Sequence, residues 1–452
     1  MRLAVSKSEL GWLPLKWAVF GCFALMSIYW IPLAEIGPFS LEAFHVGMLF
    51  VILVTFASLS GPTTTVMVLT GVSPWLLAYL AYLLFLVPAL VGTPGFSLVV
   101  KQLYFATGAV CLAGFFFRYP NSERILRKGA LFGILLFFIL TEYLARQNGK
   151  SLIPAVTEFL SSGNFQALIF KFFRPVFNAL NEGTDAAFGA SMTNSVAGSL
   201  FVLSVCFRIG YRGRGADLLG SIVVFGALFL AVLLNARSVV LAALVAIPLA
   251  FSVRLMLRRS VPYTEMLYWS VGIVAFATLA FVAAVRGASM IRSIVRAFEF
   301  ADNSAASRLS QYNWAFELIE ESPIFGHGYV VTDTGYTIHN LFLGAWVHVG
   351  IVGFILVVLF YVALVWSWLG AIHMATSRTN FWRLEARFEW VAVLPVLPLL
   401  RVWISGGGGH IAFAEWIGLA VFAGLLMRND ALRLQVRART NSPRAVPSAV
   451  QA

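Results

Sequence analysis

The sequence predicts an all-α, polytopic membrane protein of about twelve transmembrane helices, and three observations predict it. Of 452 residues, 60% are hydrophobic and only 12% charged, whereas a soluble domain carries about 25% charged residues. The apolar residues come in long unbroken runs, as a spanning helix requires, rather than in the one-in, one-out alternation of an outer-membrane barrel. Lys and Arg gather in alternate connections between those runs. This composition excludes an ordinary soluble enzyme, a disordered chain and a soluble nucleic-acid binder. The net charge of +12 sits in short loops, where it reports orientation and no nucleic acid is implied.

Taken in order, the runs fall at 15–35, 42–60, 74–93, 98–117, 129–146, 192–208, 217–234, 238–254, 265–285, 340–368, 388–405 and 411–427. The third is the weakest, because the polar turn Gly61-Pro62-Thr63-Thr64-Thr65 could open a re-entrant segment. With the N-terminus in the cytoplasm, the inner connections hold 21 of the 32 basic residues, among them Lys16, Arg124, Arg208, Arg378 and Arg428. Both termini are therefore expected inside. One membrane domain, 1–429, uses up nearly the whole chain, and 430–452, rich in Arg, Ser, Pro and Ala, reads as a loose cytoplasmic tail. No small-residue cleavage site follows the first run, so that run is expected to stay as a span. Cys22, Cys111 and Cys206 each lie within an apolar run without paired spacing and read as buried small hydrophobes.

Two outward connections, 147–191 and 286–339, are too long to be simple links, and loops of that length usually carry function. The first contains an amphipathic stretch from Phe165 to Leu180. The second carries Arg286, Arg292, Arg296 and Arg308. Between them the short turn Asn235-Ala236-Arg237 joins two runs on the same outer side. An Arg there offends both hydropathy and the positive-inside rule, which marks a functional residue, against the plain alternative that it snorkels to the headgroups. Lys101 and Arg401, near the outer ends of their runs, read more simply as interfacial anchors.

From Arg308 to Ile319 the pattern suits an amphipathic helix along the membrane surface, ended at Ser322-Pro323. Gly326-His327-Gly328 then forms a flexible turn, and His339-Asn340 stand just before a long span. Gly406 to Gly409 reads as another outer turn. An Arg side chain grips phosphate oxygens with a planar fork of donors, and His takes or gives a proton near neutral pH. Together on one face they suit a phosphate-bearing substrate attacked by a hydroxyl.

These residues resemble the O-antigen polymerase and O-antigen ligase superfamily of bacterial inner-membrane glycosyltransferases. The resemblance rests on Arg308 with Trp314, then Ser322-Pro323-Ile324-Phe325-Gly326-His327-Gly328-Tyr329 against "P-x-x-G-x-G". It continues in His339-Asn340-Leu341-Phe342-Leu343 against "H-N-x-x-L", and in His348-Val349-Gly350-Ile351-Val352-Gly353 against an acidic residue before "G-x-x-G". Asn235-Ala236-Arg237-Ser238 resembles the family's "S-R" turn, and Asn194 the Asn of its "P-N" pair. His348 stands where the family often has Glu, and Thr193 where it has Pro.

The resemblance implies a GT-C-like, metal-independent transferase without cofactor. Its donor would be a glycan on a polyprenyl diphosphate, its acceptor a second glycan or lipid A-core, and its setting the lipids of the bacterial inner membrane, with a chain-length regulator protein as a further partner. On that reading His339 is the general base or positions the hydroxyl, and Arg237 and Arg308 hold the diphosphate. Arg286, Arg292, Arg296, Asn340, Asn194, Gly326 and Gly328 are the expected binding residues, although the three loop Arg could equally bind anionic headgroups. Polymerase is the first reading and ligase the alternative. A transporter is the outside rival, disfavoured because the unusual residues gather on one face and no internal repeat is seen.

Overall fold

A computed structural model describes residues 13–29, 31–36, 39–58, 73–90, 95–119, 121–162, 187–209, 218–234, 236–256, 303–328, 338, 340–376, 388–404, 411 and 413–441. The described chain is helical apart from one hairpin. Its elements are α1 (Leu13–Met26), β1 (Pro32–Ile36), β2 (Phe39–Glu42), α2 (Ala43–Ser58), α3 (Pro74–Leu90), α4 (Gly95–Arg118), α5 (Ser122–Gln147), α6 (Leu152–Ser162), α7 (Ala187–Ile209) and α8 (Leu218–Leu233). After these come α9 (Arg237–Met256), α10 (Asn303–Glu321), α11 (Leu341–Thr376), α12 (Phe388–Val391), α13 (Val396–Ile404) and α14 (Phe413–Asn441).

Every expected apolar run except 265–285, which lies outside the described residues, overlaps one of these helices. Among the described residues three helices are long and apolar enough to cross a membrane, within 96–118, 122–147 and 341–373. The remaining apolar helices are shorter.

Several expectations need correction. The run 15–35 is not one helix: α1 stops at Met26, and Pro32, which lacks an N–H and cannot continue a helix, opens an antiparallel hairpin pairing Ile36 with Phe39 and Glu35 with Ser40. The run 388–405 is broken into α12 and α13, with Pro395 immediately before the second piece. The segment expected to be loose from residue 430 begins as helix, since α14 continues to Asn441. Of the connection 147–191, residues 152–162 form α6, whose first turn is capped from the preceding helix. The Glu142 carboxylate accepts from the Leu152 amide at 2.8 Å and from Ser151 Oγ at 2.9 Å, and pairs with Arg146 at 2.7 Å, as an anion at a helix N-terminus should. Phe165 to Leu180, Gly61 to Thr65 and Gly406 to Gly409 lie outside the described residues.

Helices approach closely where their residues are small, the usual route to association when lipid offers no hydrophobic drive. Gly129 and Gly133 of α5 lie against the α1 backbone, where a β-carbon would come 3.0 Å from Phe20 O and Ala24 O respectively. Gly424 of α14 lies on α4, where a β-carbon would come 2.5 Å from Ala113 O. Ala242 and Ala243 of α9 are buried as expected, and so are Cys22, Cys111 and Cys206.

The two ends of the bundle differ. At one end Arg428 donates to Phe116 O, Tyr119 O and Ser122 Oγ at 3.2–3.3 Å and pairs with Glu123, while Lys16 sits 4.5 Å from the Tyr119 ring centroid. Arg208, in the last turn of α7, lies 5.4 Å from the Trp390 ring centroid. Arg208 and Arg428 were expected as loop charges; both are instead folded into the bundle and buried, the first over an aromatic face and the second against a carboxylate and three oxygens. At the other end Tyr29, Phe44, Gln102, Arg401 and Glu415 meet around the start of α14. Phe413 lies 4.3 Å from Tyr29 and 4.7 Å from Phe44, and Gln102 Nε2 donates to Ile411 O at 2.9 Å.

Candidate functional site

Helix α11 is broken at Gly350, which takes φ 71° and ψ −174°. A positive φ is open to glycine and strained for any side chain with a β-carbon. The break removes helical hydrogen bonds, and the buried groups it releases must find other partners. The Ser322-to-Gly328 turn supplies them. His327 N donates to Val347 O at 2.7 Å, Ile351 N donates to Pro323 O at 3.0 Å, and Trp346 Nε1 donates to the same Pro323 carbonyl at 3.0 Å. From α3, Tyr82 OH donates to Val349 O at 2.9 Å.

The docked turn is fastened to itself as well. Gly326 N donates to Ser322 O at 3.1 Å, and Ser322 Oγ donates to Gly326 O at 3.0 Å. His327 Nε2 donates to Leu318 O at 2.8 Å, and His348 Nδ1 donates to Gly328 O at 2.8 Å. A carbonyl only accepts, so each ring nitrogen named here carries the proton. His348, standing where the family often has Glu, thus ties the first leg of α11 to the turn. The space between turn and break is filled: a β-carbon on Gly350 would lie 1.9 Å from Ile324 O, and one on Gly326 would lie 2.6 Å from Gly350 N.

Helix α10 leads into this turn and ends at Glu321, just before Ser322-Pro323 as the sequence predicts. Its Ala315 and Ile319 are buried with Ile338 and Val347, and Trp314, Leu318, Leu343 and Trp346 pack around them. The helix that carries Arg308 is thereby joined to the first leg of α11. Asn340, expected among the binding residues, caps that leg, its Oδ1 accepting from the Phe342 and Leu343 amides at 2.9 and 3.2 Å. An Asn cap of this kind contributes about 0.5–2 kcal/mol.

Gly326 and Gly328, expected as binding residues, hold the turn at φ 70° and 71°. Arg308 lies in α10, Arg237 is the first residue of α9, and Asn194 lies in the first half of α7; their side chains lie outside the described atoms. His339, Arg286, Arg292 and Arg296 lie outside the described residues. The chain neighbours of His339 are described: Ile338 is buried against α10, and Asn340 caps α11. Among the described residues no group of three or more His, Cys, Asp or Glu is placed to hold a metal ion.

Sequence reasoning undervalued one pair. Arg401, expected as an interfacial anchor, is buried and lies 2.9 Å from Glu415, their side chains 7% and 5% exposed. It cannot face headgroups from there; it crosses instead from α13 to α14. Arg401 also lies against Gly198, where a β-carbon would come 3.2 Å from its Nη1. The available signal was one Glu and one Arg of opposite charge in neighbouring apolar runs.

Two outcomes are expected. Gly350→Ala places a β-carbon on the Ile324 carbonyl and should cost at least the about 1–3 kcal/mol of ordinary overpacking, seen as faster limited proteolysis within 322–328. An unchanged cleavage rate would show that the break does not hold the turn. Arg401→Met strands the Glu415 charge and should lower stability by about 3–5 kcal/mol, with much of it recovered in Arg401→Met/Glu415→Leu. Thermal unfolding in detergent measures both, and equal losses in the single and double variants would mean that the two charges are not coupled.

Residues 222–358 match the family described as O-Antigen ligase. No curated protein matches the chain at a significant level. The matched segment begins within α8 and ends within α11, and so contains Arg237, Arg308, the docked turn, His339-Asn340 and the Gly350 break. The similarity to that family covers this segment, under a third of the 452 residues.

Proposed function

We propose that the chain is a membrane glycosyltransferase that polymerises polyprenyl-diphosphate-linked oligosaccharide repeats of O-antigen or a related surface polysaccharide at the periplasmic leaflet of a bacterial inner membrane. The observation that carries this reading is that the motif residues from Arg237 to Gly353 belong to one matched segment, within which α10, the docked turn and the capped start of α11 form one packed unit. The acceptor hydroxyl attacks the anomeric carbon as the bond from that carbon to the diphosphate oxygen breaks. Neutral His339 takes the hydroxyl proton, and Arg237 and Arg308 hold the charge that gathers on the departing diphosphate. Arg286, Arg292 and Arg296 line the acidic donor's path, and Asn194 contributes from α7. The distribution of Lys and Arg in the sequence, read as twelve spans with both termini in the cytoplasm, supports this sidedness.

A second reading, transfer of the glycan to lipid A-core, is favoured by the description of the matched family as ligase. Both readings use the same Arg and His residues and differ in the acceptor.

Reconstitution with a polyprenyl-diphosphate repeat unit, with and without lipid A-core, separates them, using His339→Ala as the blank. A product ladder from donor alone supports polymerisation, and product only with lipid A-core supports ligation. No His339-dependent product in either case overturns both readings. His339→Ala is expected to abolish turnover while donor binding persists, and loss of donor binding would make His339 a binding residue.

Arg237→Lys keeps the charge and loses the fork. A hydrogen bond to a charged group contributes about 1.5–3 kcal/mol, so kcat/KM should fall by roughly ten- to a hundredfold. Full activity in a well-expressed Lys variant would refute the two-pronged grip.

A further inference from the structure

The 36 residues of α11 would make a straight helix about 54 Å long at 1.5 Å per residue, far more than the hydrocarbon core of about 30 Å. The break at Gly350 resolves the mismatch. Beyond it, Ile351 to Ile372 carries no charged residue and is about 33 Å long, enough by itself to cross. The chain on the other side of the break is of a different kind. It holds Asn340 at the cap and His348 in the first leg of α11, with His327 bonded to that leg, and a turn whose carbonyls are tied to side chains and amides. Irregular backbone of this sort is not found exposed to hydrocarbon. The break is the point beyond which α11 is long enough and apolar enough to cross by itself.

At that point the tip of the docked turn presents Ile324 and Phe325, exposed by 55% and 72%. The chain around them is held to α11 by the hydrogen bonds of Pro323 and His327. The Ile324 carbonyl packs directly on Gly350. Two residues farther along α11 begins a stripe of exposed apolar side chains: Val352, Ile355, Val362, Trp366 and Leu369. Their spacing keeps them on one side of the helix, as a lipid-facing side requires. Ile324 and Phe325 stand at the upper end of that stripe.

We propose that Ile324 and Phe325 form an interfacial anchor, inserted into the leaflet at the entry point of α11, which sets the depth at which α10 and the start of α11 meet the membrane surface. The occupant of this apolar surface is the bilayer. Two large apolar side chains on a tied turn lose little conformational freedom on insertion and gain the burial of their exposed area. The proposal rests on α11 crossing the membrane and goes beyond the glycosyl-transfer reading.

The test places a nitroxide on Phe325→Cys and, separately, on Ile324→Cys in vesicles of phosphatidylethanolamine and phosphatidylglycerol. The native cysteines are buried, so the label goes to the introduced thiol. Glu317→Cys, at an exposed charged position on α10, is the aqueous reference, and Ile355→Cys, on the exposed stripe, is the lipid reference. Collision with oxygen, which concentrates in lipid, is compared with collision with a water-soluble nickel chelate. At 324 and 325 oxygen should dominate, as at 355, with the ratio severalfold above that at 317. A ratio at both sites equal to that at 317 overturns the anchor. An aqueous ratio at 355 overturns it together with the span. The readout needs neither donor nor turnover, so a failure of the glycosyltransferase reading leaves it unaffected.

Discussion

A buried backbone amide or carbonyl that loses its helical partner must be given another by protein, and this constraint organises the part of the chain that carries the motifs. The broken helix α11 releases polar groups around Gly350, and the turn after α10 meets them with Pro323 O and His327 N, while Tyr82 of α3 meets Val349 O. Each segment answers a need of the other. The turn leaves Pro323 O and His327 N without partners inside it, and the broken helix has lost some helical bonds of its own. Glycine is required on both sides of the contact, for backbone conformation at Gly326 and Gly350 and for the close approach between them. The spacing of these glycines follows from packing and backbone geometry, before any contact with a substrate is invoked.

A second constraint is the cost of charge away from water. Arg401–Glu415 and Arg428–Glu123 are both buried, and both involve α14. Glu415 and Arg428 stand about 20 Å apart along that helix. Breaking such a pair is costly because it strands one charge, although the intact pair contributes little over a well-packed apolar substitute. The pairs therefore act chiefly to fix register. One sets α13 against α14 beside Gly198 of α7, and the other sets α14 against the turn between α4 and α5. The turn motif and the paired charges thus hold different parts of the same bundle, the first joining α10 to α11 and the second locking α14 to its neighbours.

Sequence by itself determined the helical class, the position of most apolar runs and the end of α10 before Ser322-Pro323, because hydropathy and proline act locally. It also singled out Gly326, Gly328, Asn340 and the Arg308 helix. It could not show that Asn340 closes the first turn of α11, or that His348 reaches Gly328, since each depends on where a side chain finds its partner in space. Arg401 was legible as an oddity and misjudged as an anchor, because hydropathy reports a charge but not the carboxylate opposite it. The start of the hairpin after α1 and the break in α11 were hidden by apolar composition: Pro32 and its neighbours read as the end of the run 15–35, and 340–368 reads as one continuous span. Only the tertiary structure decided that one pairs as strands and the other bends at Gly350. Hydrophobicity measures how strongly a segment avoids water, whereas its conformation is decided by which groups are present to satisfy its backbone.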